Sequence, residues 1–134
     1  MKAIRLIALA ACMAATLDAS AQEQEIRLFS HRGGRMEHDE NTLSAFQASY
    51  DAGYRGFETD IRMTRDGALV ITHDSSLERT TDGTGTVEEK TEAEIRRLRT
   101  KQGNKVLFLD ELLEFLEGKE GLYVEFEMKT KPEA

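Results

Sequence analysis

Short apolar runs alternate with stretches of helical spacing along this chain. Residues 26–29 form an apolar run and read as a strand, with Ser30, His31, Arg32, Gly33 and Gly34 following as a turn. Asn41 is placed to cap a helix that buries Leu43, Phe46 and Tyr50 and ends at Gly53. Residues 56–63 read as a second strand. Asp66-Gly67 is a hairpin signal, and residues 68–72 form the returning strand. Residues 82–85 are a glycine-rich loop, and Thr91 to Glu94 spells a capping box that opens a short helix carrying Ile95 and Leu98. Residues 110–117 predict another helix, with Leu109, Leu112, Leu113 and Leu116 on one side and Gly118 at its end. Residues 122–129 predict a further strand.

Strand, helix, strand, helices and strand imply parallel βαβ units and an α/β fold. There is no internal repeat, low-complexity tract or linker. A parallel sheet is normally covered by helices on both faces. The last predicted strand has no helix after it, so the fold is expected to be interrupted there.

The first stretch stands outside this pattern. A basic start with Lys2 and Arg5 leads into apolar residues 6–17, then Ala19-Ser20-Ala21. That layout is a secretory signal peptide, expected to be cleaved after Ala21, leaving residues 22–134 as the mature chain, exported to the periplasm or secreted. The apolar run is too short for a membrane span. Leu9-Ala10-Ala11-Cys12 resembles a lipobox, which gives a lipoprotein as the less favoured alternative. Cys12 is the single cysteine, so cleavage at Ala21 excludes disulfide and thiolate chemistry downstream.

With 134 residues, 40% hydrophobic and 32% charged, the chain has the composition of an ordinary globular domain. Its formal charge of −7 disfavours a nucleic-acid partner but leaves a small anionic substrate open, because local charge decides that.

Four clusters near predicted strand ends carry chemistry, and α/β folds place their sites there. His31-Arg32 pairs a proton shuttle with a planar fork for phosphate oxygens. Glu58 and Asp60 share one strand face, and two adjacent carboxylates require a cation or a proton between them. Oxygen ligands favour a hard ion, Mg²⁺ or Ca²⁺. His73-Asp74 sets an imidazole beside a carboxylate. Glu125, Glu127 and Lys129 share a face of the last strand, with Phe126 and Met128 opposite. Taken singly, each has a plainer reading, as a polar turn, a solvated strand end or an exposed edge strand.

In their order the clusters resemble the glycerophosphodiester phosphodiesterase family. The matching text is His31-Arg32-Gly33, Glu40-Asn41-Thr42, Glu58-x-Asp60, Asp66-Gly67, His73-Asp74, residues 79–85 and Glu127-x-Lys129. The resemblance spans residues 26–129. It implies a TIM barrel of the (β/α)8 type, truncated here to about its first three strands plus a small inserted hairpin; such barrels take about 250 residues. It implies that Glu58, Asp60 and Glu127 bind one divalent cation, Ca²⁺ or Mg²⁺, that His31 and His73 are the acid/base pair, and that Arg32 and Lys129 contact the phosphate. The implied reaction, in the complete protein, is hydrolysis of a small glycerophosphodiester to glycerol 3-phosphate and an alcohol. A related barrel phosphodiesterase acting on lysophospholipid or phosphoinositide-like substrates is the neighbouring reading. An inactive fragment or a phosphate-binding module is the non-catalytic one. Asp39 stands where the family commonly has Pro, and Glu125 where Asn is common.

Overall fold

The computed structural model describes residues 27–130. The expected signal peptide, its cleavage site, Cys12 and Pro132 lie outside the described residues. Strand β1 is Phe29–His31, helix α1 Leu43–Asp51, strand β2 Gly56–Met63 and strand β3 Leu69–Ile71. A 3-10 turn at Val87–Glu89 and the short helix α2, Glu92–Ile95, precede helix α3, Leu109–Leu116, and strand β4, Tyr123–Met128.

β2 is the centre of the sheet. β4 runs parallel along Gly56 to Ile61 of β2, so β1 and β3 share its other edge. β1 lies parallel beside Gly56 to Glu58, and β3 lies antiparallel beside Ile61 to Met63. The spatial order of the parallel strands is therefore β1, β2, β4, each joined to the next through a helix. The β2–β3 hairpin and the segment up to Leu107 are inserted between β2 and α3. Gly67 makes the hairpin turn with φ at +91°, a conformation a side chain would strain.

Alternation along β2 divides its chemistry. Phe57 and Ile61 point to the helical side, where they pack with Phe46 of α1, Leu112 of α3, Ile71 and Leu107. Glu58 and Asp60 occupy the alternate positions and face the other way. The insertion has its own core of Val70, Leu77, Val87, Ile95, Val106 and Phe108. That second core fixes the loops that follow β3 relative to the sheet.

Several local expectations are corrected. β1 extends to His31, so the turn begins at Arg32 and not at Ser30. The cap of α1 is Thr42, whose hydroxyl accepts from the Ala45 amide at 3.2 Å; Asn41 is not the cap. α1 buries Ala45, Phe46 and Ser49, while Leu43 is exposed and Tyr50 only packs at the edge of the core. In α3, Leu112 is buried, Leu109 and Leu116 pack partly, and Leu113 is nearly half exposed. The capping box at Thr91 and Glu94 forms as expected, with Glu94 accepting from the Thr91 amide at 2.8 Å. Tyr123, Phe126 and Met128 of β4 are exposed.

Candidate active site

The carboxyl ends of β1, β2 and β4 converge on one acidic centre. Because β4 is parallel to β2 in a register that sets Glu127 beside Asp60, residues 67 positions apart in sequence share one patch. One carboxylate oxygen from each of Glu58, Asp60 and Glu127 lies within 4.8 Å of the others. Their burial is graded: Asp60 is fully buried, Glu58 half-buried and Glu127 exposed. Glu125 pairs with Glu58 across the strands but is not in this triad.

Basic groups surround the acids. Arg32 Nε sits 3.1 Å from Asp60 Oδ2, and Arg32 Nη1 donates to Glu40 Oε1 at 3.2 Å. Lys129 Nζ is 2.6 Å from Glu127 Oε1 and 3.4 Å from Asp60 Oδ1. His31 Nε2 is 3.5 Å from Glu58 Oε2. Asp60 Oδ1 is buried and accepts no well-formed hydrogen bond; the Lys129 contact has ion-pair distance without hydrogen-bond geometry. A buried carboxylate oxygen without such a bond costs free energy unless something else satisfies it. A hard cation on the three carboxylates would do so, and the donor set, oxygen only, suits Ca²⁺ or Mg²⁺.

The electrostatics are uneven. Burial, and then the neighbouring Asp60 charge, raises the Glu58 carboxyl above the ordinary glutamate value. The Lys129 hydrogen bond lowers Glu127, with weaker help from the charges of His73 and Arg32. The same contact raises Lys129. His31 borders the patch at Glu58, and His73 lies in the segment that follows β3. His73 Nδ1 is 2.6 Å from Asp74 Oδ1, and Arg79 Nε binds the other Asp74 oxygen. Asp74 is held down to about 2, first by the Arg79 hydrogen bond.

Two residues at the site have left-handed backbones although neither is glycine: Arg32 at φ +54° and Asn41 at φ +57°. Such conformations are uncommon for residues with a Cβ and persist where surrounding contacts over-determine them. Here they do. Asn41 Nδ2 donates to Asp60 Oδ2 at 3.1 Å, and Thr59 Oγ1 donates to Asn41 Oδ1 at 3.0 Å. Asp74 takes the place beside His73 that the sequence suggested, while Glu40, Asn41 and Arg79 also join the site in roles that sequence reasoning did not assign. The available signals were the tolerance of Asn for left-handed backbone and the place of Glu40, Asn41 and Arg79 in the family-like text.

A model of the glycerophosphoryl diester phosphodiesterase family matches residues 31–134. The chain belongs to that family. A glycerophosphodiester phosphodiesterase of Bacillus altitudinis is 31% identical over 111 residues, 78% of this chain and 45% of that protein. Human glycerophosphodiester phosphodiesterase 1 is 44% identical over 73 residues, 54% of this chain and 22% of that one. Among solved structures, an Oleispira antarctica phosphodiesterase in complex with the product sn-glycerol-3-phosphate superposes with a TM-score of 0.72 at 30% identity. The match covers 78% of this chain and 44% of that one. A glycerophosphoryl diester phosphodiesterase of Parabacteroides distasonis gives 0.71 at 33% identity, covering 82% and 41%. The chain spans less than half the length of each of these proteins. The described residues thus have the α/β architecture of this family's TIM barrels, with three parallel barrel strands and an inserted hairpin.

A cavity of about 640 Å³ lies at the opposite, amino-terminal end of the strands, lined by Arg27, Leu28, Tyr54, Arg55 and Tyr123 among others. It contains no convergence of acids and imidazoles. Barrel chemistry belongs to the carboxyl ends, so the charged centre is the candidate site despite the larger hollow elsewhere.

Proposed function

We propose that the full-length protein hydrolyses glycerophosphodiesters to glycerol 3-phosphate and an alcohol, using one Ca²⁺ or Mg²⁺ held by Glu58, Asp60 and Glu127. The observation that carries this reading is the convergence of three carboxylates, one of them buried with an unsatisfied oxygen, with the His31 imidazole 3.5 Å from Glu58. The Oleispira relative, with its bound glycerol phosphate product, supports the substrate class. When bound, the cation supplies positive charge where the phosphate oxygens gain negative charge.

The chain's own residues do the rest. Lys129 Nζ lies beside Glu127 and Asp60 on a flexible stem, and with those carboxylates holding a cation it would be available to a phosphate oxygen. Arg32 is buried, donates from Nη1 to Glu40 and holds Nε at ion-pair distance from Asp60 without a hydrogen bond, so it presents a fixed charge to the phosphate. His31, at the end of β1, and His73, in the segment after β3, divide the proton work: one takes the proton of the attacking oxygen, and the other protonates the departing alcohol. Acid–base help of this kind contributes about 10²–10⁴-fold. Residues 22–134 form the amino-terminal part of the barrel domain in this reading, and the leader-like residues 1–21 support export.

The test is turnover of glycerophosphocholine by the full-length protein, with calorimetric titration of Ca²⁺ and Mg²⁺. Chelation and Asp60→Asn should each abolish turnover, and Asp60→Asn should also abolish the binding isotherm. Turnover that survives chelator and the His31→Ala substitution would end this reading.

A further inference from the structure

Arg79 has no part in the chemistry above, yet its contacts reach both halves of it. It lies in the inserted segment, on a turn that is tightly tied. Leu77 is buried at its start, and Thr81 closes it by donating from both amide and hydroxyl to the Leu77 carbonyl, at 2.9 and 2.7 Å. From this turn one guanidinium bridges two carboxylates on separate segments. Nε binds Asp74 Oδ2, while Nη1 and Nη2 bind Glu40 Oε2 and Oε1 at 3.0 and 2.7 Å. Each carboxylate then holds one further group. Asp74 Oδ1 meets His73 Nδ1 at 2.6 Å, and Glu40 Oε1 accepts from Arg32 Nη1 at 3.2 Å.

On the basis of the function proposed above, we propose that Arg79 is a positioning residue that fixes the tautomer and ring direction of His73 through Asp74, and the direction of the Arg32 guanidinium through Glu40. The tautomer follows from hydrogen-bond chemistry. A carboxylate only accepts, so the Nδ1 atom facing Asp74 must carry the hydrogen. Neutral His73 then has its lone pair on Nε2, and the cation has its transferable proton there. Either way Nε2 is the atom offered for proton transfer. Without Arg79, Asp74 loses its second anchor and can rotate, and the imidazole is free to take either tautomer. Glu40 likewise loses its bidentate partner and with it the fixed direction it gives Arg32. The planar fork of Arg matches both carboxylates at once; the point charge of Lys does not.

A plain structural tie between insertion and sheet would share these contacts but not their consequences. In full-length protein labelled with ¹⁵N-histidine, the His73 signals are identified by their loss in a His73→Gln variant. The expected spectrum shows neutral His73 as the Nδ1–H form, and Arg79→Met converts it to a tautomer mixture. In turnover, Asp74→Asn should lower kcat about 10- to 100-fold with KM changed less than about threefold. Glu40→Gln should mainly raise KM, and Arg79→Met should do both. The double variant Arg79→Met/Asp74→Asn should have a kcat no lower than the worse single variant, as expected for groups acting in one chain. An Arg79→Met protein that melts at lower temperature yet keeps the Nδ1–H signature and the wild-type kcat overturns the proposal. Should that variant fail to fold, Arg79→Lys carries the same comparison: mixed tautomers support the proposal, and an unchanged spectrum with unchanged kinetics overturns it. A spectrum that responds as expected in a protein without phosphodiester turnover would leave the positioning device standing and remove the assigned function.

Discussion

Replacing Asn41 by Ala tests how the acidic centre is built. The amide makes two buried hydrogen bonds, one donated to Asp60 and one accepted from Thr59, and the residue is 4% exposed with φ at +57°. Losing a hydrogen bond to a charged acceptor costs about 2 kcal/mol, and leaving the Thr59 hydroxyl unpaired about 1. Holding an alanine in left-handed backbone adds about 1. The expected loss is roughly 3–4 kcal/mol, a large part of the about 5–15 kcal/mol that stabilises a typical domain. Urea unfolding of the full-length protein at unchanged m-value measures it. Asn41→Gly removes the same two bonds without the backbone strain, and after about 0.4–1 kcal/mol for the entropy of the unfolded chain it should cost between nothing and about 0.6 kcal/mol less than Ala. A loss below about 1 kcal/mol for Ala would refute the bonding argument. Gly clearly more harmful than Ala would refute the strain.

The Asp74 carboxyl titrates in the folded protein at about 2, below its ordinary 3.8, so its contribution to stability is present above pH 3.8 and is lost as pH falls toward 2. Asp74→Asn should therefore cost about 1 kcal/mol at pH 7, the full shift being discounted because Arg79 is half exposed, and should converge with wild type near pH 2; a difference independent of pH argues against it. Gly33→Ala should cost at least about 1 kcal/mol in denaturant unfolding, since φ is +75° and the new Cβ would lie 2.8 Å from Ala45 Cβ and 3.1 Å from its carbonyl carbon. A neutral outcome would show that the loop after β1 can shift away from α1. Phe46→Ala should cost about 3–5 kcal/mol, because its ring is fully buried 5.6 Å from that of Phe57. A loss under about 2 kcal/mol would mean that α1 is loosely seated.

The sequence by itself determined the elements and the chemical vocabulary. Period-two alternation places Glu58 and Asp60 on one face of β2 and Phe57 and Ile61 on the other, because successive strand residues must point opposite ways. Asp66-Gly67 and the Thr91 to Glu94 box specify a turn and a helix start through contacts only a few residues long. Local patterns misjudged α1: Asn41, a good cap by composition, is used by Asp60, and Thr42 takes the cap. Nor could they show that Leu43 and Leu113 point to solvent, since which part of an amphipathic face is covered depends on the partner surface. Tertiary structure alone decided the register that sets Glu127 beside Asp60, the burial that raises Glu58, and the Arg79 bridge from the insertion to Glu40, 39 positions away. Those are distances between segments remote in sequence, and they exist only once the parallel strands have paired and the two hydrophobic cores have closed.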